Sequence, residues 1–167
     1  MTNKKEARVQ LEYTYMDSPV GQLLLAGDGE VLHYLSFPTG KMAMQPAHDW
    51  YLHRAAFKQA RHQIDDYFAG QLKQFNLALA PQGTAFQMQV LGALQDIPFD
   101  QMRSYKDIAQ AIDRPKAMRA VGAANGRNPI PLIIPCHRVV GADGSLTGFG
   151  GGVETKQFLL RLEGAIS

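Results

Sequence analysis

The 167-residue chain holds one cysteine, Cys136, in the string Ile133-Ile134-Pro135-Cys136-His137-Arg138-Val139-Val140. A lone thiol can form neither an internal disulfide nor a multi-cysteine zinc site. His137 puts a base beside the sulfur and Arg138 adds a positive charge, which is the company of an activated nucleophile. The competing reading is a buried structural thiol, because free cysteine is among the most buried residue types. Neighbours on a strand also point to opposite faces, so adjacency alone does not bring ring and sulfur together. The other histidines, His33, His48, His53 and His62, show no metal-ligand spacing. No metal and no cofactor are expected. Gly27-Asp28-Gly29 reads as a hairpin turn, not a phosphate loop.

Charge is unevenly spread. The whole chain has a net charge of +2. Residues 1–100 carry −2, whereas residues 101–140 carry +5 through Arg103, Lys106, Arg114, Lys116, Arg119, Arg127 and Arg138 against Asp107 and Asp113. A basic block around the only cysteine points to an anionic partner, nucleic acid first; a solvated face is the bland alternative. The apolar share of 46% is enough for a sizeable core. No apolar run approaches the ~20 residues that span a bilayer. Met1 to Arg8 is polar and has no signal-peptide pattern after it, so no membrane partner and an intracellular, cytoplasmic location are expected.

The elements that must position Cys136 are partly legible. Leu11 to Tyr15, Gln22 to Ala26 and Val31 to Phe37 read as strands, the last two as a hairpin. Residues 38–49 read as a loop. The spacing of Ala56, Ala60, Ile64 and Tyr67-Phe68 predicts a helix from about Trp50 to Phe68, ended by Gly70. Phe75 to Leu79 alternates and is expected to be an edge strand. Ala80 to Gly83 marks a boundary between units 1–83 and 84–167. Beyond it Phe86, Val90, Leu91 and Leu94 form a helical stripe. Ser104 is a good N-cap with Asp107 three residues on, opening a helix from Tyr105 to about Ala111. Pro115 suits the first position of a second helix, Lys116 to about Asn125, rich in alanine and glycine. Two short helices and a tight turn make a helix-turn-helix pattern. A last helix is expected over about Glu154 to Leu162.

The chain resembles the O6-alkylguanine-DNA alkyltransferases. The likeness covers most of residues 84–164 and rests on Ser104-Tyr105, Arg119-Ala120-Val121-Gly122, Asn128-Pro129-Ile130-Pro131 and Pro135-Cys136-His137-Arg138-Val139. Gly151-Gly152, Lys156 and Leu162-Glu163-Gly164 complete it. Residues 1–83 match only in outline. The resemblance implies an α+β fold: a strand-rich N-terminal half (a small antiparallel sheet with a helix) and a C-terminal, winged helix-turn-helix-like DNA-binding domain.

It also implies a reaction. A monomer would bind duplex DNA, flip out O6-alkylguanine or O4-alkylthymine, and move the alkyl group irreversibly to Cys136, once per molecule. An unperturbed thiol titrates near ~8.5 and needs a base. By resemblance, His137 takes the proton through a water, Glu163 holds the other ring nitrogen, and Asn128 fixes the turn. Tyr105 would help the guanine leave. Arg119 would fill the gap left by the flipped base, with Ser104, Ala120, Gly122 and Arg127 also on DNA. Minor-groove contact carries little sequence information, which suits a protein that must work in any context. Pro131, Val139, Phe149, Gly150, Gly151 and Lys156 would line or support the pocket, with the Cys136 and Val139 carbonyls reading the base edge. Several family members have Tyr-Ser where this chain has Phe149-Gly150; the departure bears on substrate range, since glycine leaves room for bulkier alkyl groups. Two other readings remain open at this point: a non-catalytic alkyltransferase-like damage binder, which would lack the cysteine, and a cysteine hydrolase, for which no second signature is present.

Overall fold

The computed structural model describes residues 10–167; Met1 to Arg8, with the expectation about a leader segment, lie outside the described residues. Strands β1 (Glu12–Met16), β2 (Leu23–Asp28) and β3 (Val31–Ser36) pair antiparallel. The two-residue strand β4 (Tyr51–Leu52) joins the far side of β1 in parallel, giving the order β3-β2-β1-β4. β2 is Leu23-Leu24-Leu25-Ala26-Gly27-Asp28, apolar on both faces and buried over its first five residues, as a central strand should be. Its hairpin to β3 turns at Gly29, whose φ of 61° is natural for glycine.

Helix α1 (Lys58–Phe68) is shorter than its apolar spacing predicts. Tyr51 and Leu52 are taken by the sheet, and Phe57, with φ 56°, sets a left-handed corner at the helix start. From there Ala60, Ile64 and Tyr67 point inward at i, i+4, i+7. The expected strand over Phe75 to Leu79 is reduced to a single bridge: Leu32 N–H donates to the Ala78 carbonyl at 3.0 Å and Ala80 N–H to the Leu32 carbonyl at 2.7 Å.

The second half is built of α2 (Ala85–Gln95), α3 (Tyr105–Ala111), α4 (Met118–Gly126) and α5 (Val153–Leu162), with β5 (Arg103–Ser104) and β6 (Val139–Val140) paired in parallel. Two reciprocal capping boxes start α2 and α3: Thr84 with Gln87, and Ser104 with Asp107. Each such cap contributes about 1 kcal/mol. Pro115 is not the first residue of α4. It lies in a turn, and the helix starts three residues later at Met118, without a side-chain cap.

One hydrophobic core runs through both halves, from Leu23, Leu25, Ile64 and Tyr67 to Val90, Ile134, Val139 and Leu159. No helix among the described residues is long and apolar enough to cross a membrane.

Candidate active site

Cys136, His137 and Arg138 form a single 3-10 turn that leads into β6. A strand would have pointed sulfur and imidazole to opposite faces; a turn of three residues per revolution does not alternate. Both side chains are buried, Cys136 at 2% and His137 at 0% exposure. The chain before the turn is pinned by Asn128. Its Nδ2 donates to the Ile134 carbonyl at 2.8 Å, and its Oδ1 accepts from Ile130 N–H at 3.0 Å. Between these anchors Leu132 is held at φ 76°, a left-handed conformation a branched residue adopts only under constraint.

Glu163, just past the end of α5, faces the turn. Its Oε2 lies 2.6 Å from His137 Nε2. The same oxygen accepts the Tyr67 hydroxyl at 2.6 Å and Arg138 Nη2 at 3.1 Å, while Oε1 accepts Arg138 Nε at 2.8 Å. Burial pushes this carboxyl up, but His137 and Arg138 outweigh it and hold the group at about 2. Burial lowers the pKa of His137 against the pull of Glu163, so the ring is neutral at rest. With Nε2 facing the carboxylate, the proton belongs on Nε2. Nδ1 is then a bare lone pair, and it is buried with no partner. Burial first, and then Glu163, raise the Tyr67 phenol far above its ordinary range, so it can only donate.

Burial pushes the Cys136 thiol up to about 11, against the downward pull of the Asn128 side chain and the Lys156 ammonium. The resting pair is therefore a thiol and a neutral imidazole. Lys156 is not an exposed helix lysine: it is fully buried, its Nζ donating to the Val139 carbonyl at 2.5 Å and to the Thr147 carbonyl at 3.2 Å. Burial lowers its pKa to about 8. The Val139 carbonyl, expected to read a base edge, thus already holds one donor and has its second lone pair to offer.

A cavity of about 290 Å³ opens on Cys136. Pro131, Asn128, Arg127, Gly150 and Gly151 line one side of it. The other side comes from the N-terminal half: Tyr34 to Phe37 and Met42 to Met44. The 38–44 loop straps the glycine-rich loop down. Met42 N–H donates to the Gly150 carbonyl at 3.0 Å, and a side chain on Gly40 would collide with that same carbonyl. Phe149, expected to wall the pocket, is not among the cavity's lining residues, nor are Val139 and Lys156; its ring is buried at 7% exposure, 5.6 Å from that of Phe37. Tyr105 is half-buried beside this loop, and its hydroxyl donates to the Thr147 carbonyl at 2.8 Å.

Arg119 and Ala120 are exposed on α4, and Gly122 is half-exposed against the Tyr105 ring. Ser104 is occupied in capping α3. Of the seven basic residues in 101–140, Arg138 is withdrawn into the Glu163 ion pair; Lys106, Arg114, Lys116, Arg119 and Arg127 are exposed and take part in no salt bridge among the described residues. No group of three or more His, Cys, Asp or Glu among the described residues could hold a metal ion. Sequence reasoning missed Tyr67, the structural use of Arg138 and the cavity wall from the N-terminal half. Tyr67 carried no signal, because a tyrosine at an inward helix position reads as core.

Residues 85–165 match the DNA-binding domain of 6-O-methylguanine DNA methyltransferase, and residues 11–81 match the ribonuclease-like domain of the same family. The chain belongs to the 6-O-methylguanine DNA methyltransferase family. Its relatives in this family include a methylated-DNA–protein-cysteine methyltransferase of Methanosarcina acetivorans, 50% identical over 153 residues that cover 92% of this chain and 98% of that one. The crystal structure of the Mycobacterium tuberculosis O6-methylguanine methyltransferase superposes with a TM-score of 0.87 at 46% identity, covering 95% of each chain. A structure of the Mycobacterium tuberculosis OGT in complex with DNA matches with a TM-score of 0.86 at 48% identity, over 91% of this chain and 92% of that one.

Proposed function

We propose that this protein repairs O6-alkylguanine, and O4-alkylthymine, in duplex DNA by moving the alkyl group irreversibly to Cys136. The observation that carries the reading is the buried His137. One ring nitrogen is 2.6 Å from Glu163, and the other is bare and partnerless on the same short turn as the thiol. That is a base in the required tautomer, oriented by a carboxylate.

The steps follow from these groups. The cavity and the covering loop receive the flipped base, with its alkyl carbon against Cys136 Sγ. His137 Nδ1 takes the thiol proton through a water as sulfur attacks that carbon, and the imidazolium forms against Glu163. The S–C bond forms as the C–O6 bond breaks, and its electron pair goes to guanine. The net change moves the thiol proton to guanine N1 and leaves a thioether on the protein. A positioned base of this kind contributes about 10²–10⁴-fold. Tyr105 assists the leaving base by donating its hydroxyl; burial raises its pKa, so the proton is present at neutral pH. That hydroxyl must first leave the Thr147 carbonyl, so base entry exchanges one hydrogen bond for another. Asn128 holds the turn, and Lys156 fixes Val139 to the covering loop while its charge favours the thiolate.

Exposed Arg119, Ala120 and Gly122 on α4, with Ser104 at the start of α3, form the proposed DNA face, and Arg127 lies at the cavity edge. The small residues let the helix backbone come close, and Arg119 fills the space of the flipped base. We assign residues 1–83 to a supporting unit and 84–167 to the DNA-binding and transfer unit of a monomer. A protein whose one nucleophile is a free thiol works in a reduced, intracellular setting. The presence of Cys136 beside His137 favours catalysis over a damage-binding role without chemistry.

The test is mass spectrometry of the intact protein and its peptides after mixing with duplex DNA holding O6-methylguanine. One methyl per protein, on the peptide containing Cys136, is expected, and Cys136→Ser should bind the duplex without gaining mass. Turnover beyond one methyl per protein, or binding without transfer by the unaltered chain, overturns the proposal.

A further inference from the structure

Two neighbouring glycines of the covering loop have their side-chain space filled from the N-terminal half, and filled differently. A Cβ on Gly151 would stand 2.6 Å from the rings of both Phe37 and Phe149. Those rings are 3% and 7% exposed and lean on each other, so this space is closed. A Cβ on Gly150 would stand 2.5 Å from Met42 Cγ and 2.7 Å from Met42 Cβ. The room that a glycine offers at 150 is therefore occupied, and its occupant is a methionine that stays 40% exposed.

Met42 is tied at its backbone and free beyond it. Its N–H donates to the Gly150 carbonyl at 3.0 Å, and the Met44 N–H donates to the Ser36 hydroxyl at 2.9 Å. The side chain is unbranched, with three rotatable bonds and an open route to solvent. It can fill the space when nothing else does and swing aside when something must enter. The packed rings at Gly151 have no such exit.

The space belongs to the cavity on Cys136. Met42, Gly150 and Pro131 line it, whereas Tyr105 and Val139 do not. The cavity thus reaches from the thiol towards the N-terminal half, away from groups assigned to the guanine ring. Sulfur attacks in line with the breaking C–O6 bond, so whatever else the alkyl carbon carries projects sideways from that line. A methyl carries only hydrogens there. A larger group must lodge beside the sulfur, and this cavity is the room available to it.

We propose that Met42 is a specificity-determining residue: its side chain is a movable plug beside Cys136 that sets how large an O6-alkyl group the site accepts. The inference rests on the proposed alkyl transfer. It gives the N-terminal half a part in choosing the substrate. The plug stays in place for methyl and is displaced by a bulky group, so bulky lesions react at a cost that the Met42 side chain determines.

The experiment measures single-turnover transfer rates at subsaturating DNA for duplexes holding O6-methylguanine or O6-benzylguanine, and reads the benzyl-to-methyl ratio. The ratio cancels effects common to both lesions, such as weaker DNA binding or a shifted covering loop. Met42→Ala retains the backbone bond to Gly150 and removes the plug; the ratio should rise about tenfold. Met42→Phe puts a stiff ring at Gly150, like those at Gly151; the ratio should fall by a similar factor. A ratio that does not rise in Met42→Ala would overturn the proposal, because equal change on both duplexes marks a prop and a falling ratio marks a contact that holds the benzyl group. A ratio that does not fall in Met42→Phe would overturn it as well. Absence of transfer from either duplex by the unaltered protein would instead remove the proposed reaction itself.

Discussion

The same three side chains meet in two places in this molecule. At the edge of the N-terminal sheet, Glu12 Oε2 lies 2.8 Å from His53 Nδ1 and accepts the Tyr51 hydroxyl at 3.0 Å. In the shared core, Glu163 Oε2 lies 2.6 Å from His137 Nε2 and accepts the Tyr67 hydroxyl at 2.6 Å. The partners and distances nearly coincide, and the surroundings do not. The His53 side chain is 50% exposed, while His137 and Glu163 are at 0%. Only the second carboxylate has an arginine to keep it ionised in the interior, and only the second imidazole stands on a turn with a thiol. A glutamate-histidine-tyrosine set becomes chemical through burial, a fixed charge and a nucleophile. At the sheet edge, where Glu12 is buried but His53 and Tyr51 stand exposed, it is one more polar cluster, with water screening the two donors.

That contrast can be broken most sharply at the carboxylates. Glu163→Gln strands Arg138 in the interior and removes the orienter of the base. We expect a loss of about 3–5 kcal/mol in stability and of about 10²-fold or more in transfer rate. Glu12→Gln should leave the rate constant within twofold. Urea denaturation and single-turnover transfer measure both, and a rate loss of similar size in the two variants would erase the difference between the clusters.

The tyrosines give a smaller effect. Tyr67→Phe keeps the ring among Phe68, Phe75 and Phe99 and deletes one donor to an ionised carboxylate, a bond of about 1.5–3 kcal/mol. Stability should fall by that amount, and transfer should slow, because Glu163 loses a fixed contact on the oxygen that orients His137. Tyr51→Phe should change neither quantity measurably.

Acidity separates the two clusters most gently. The Glu163 pKa is held at about 2, below its usual 4.5, so its contribution to stability is complete above pH 4.5 and is lost as the pH falls towards 2. The His137 pKa is lowered from 6.5, so below that pH the unfolded chain takes up a proton the folded chain resists, and stability declines there too. Transfer should run on a plateau from about pH 6.5 upward and fall on the acid side as His137 takes a proton and ceases to be a base. With the thiol at about 11, the rate should show no inflection near 9, the ordinary cysteine value. His53→Gln should leave that rate profile in place. Rates from pH 5 to 10 check each point.

Much of the reacting centre was legible in the chain because its parts sit in short local patterns. Asn128 to Pro131 and Pro135 to Val139 are contiguous strings, and Ser104 with Asp107 is a local cap. What escaped were partnerships made across the fold. Tyr67 meets Glu163 over 96 residues, and neither position has a spacing that announces the other. Met42 lies in a loop without periodicity, so nothing in the sequence places it against Gly150. The helix starts at Lys58 and Met118 differ from the sequence pattern for a related reason. Apolar spacing runs on past the residue where the sheet or a turn claims the backbone, and neither helix has a side-chain cap to mark its beginning. The charge pattern also overstated the basic surface, since Arg138 looks like its neighbours until its partner is known.

The depth of Cys136 has a consequence for how long the protein keeps its worth before it meets a lesion. Peroxides and disulfides attack thiolates that they can reach. At 2% exposure, and with its proton held up to about 11, this sulfur offers neither the charge nor the access. On the proposed reaction, a reagent that can be used once is thereby shielded from oxidation while it waits, and gives up its proton only when a base fills the cavity and His137 acts.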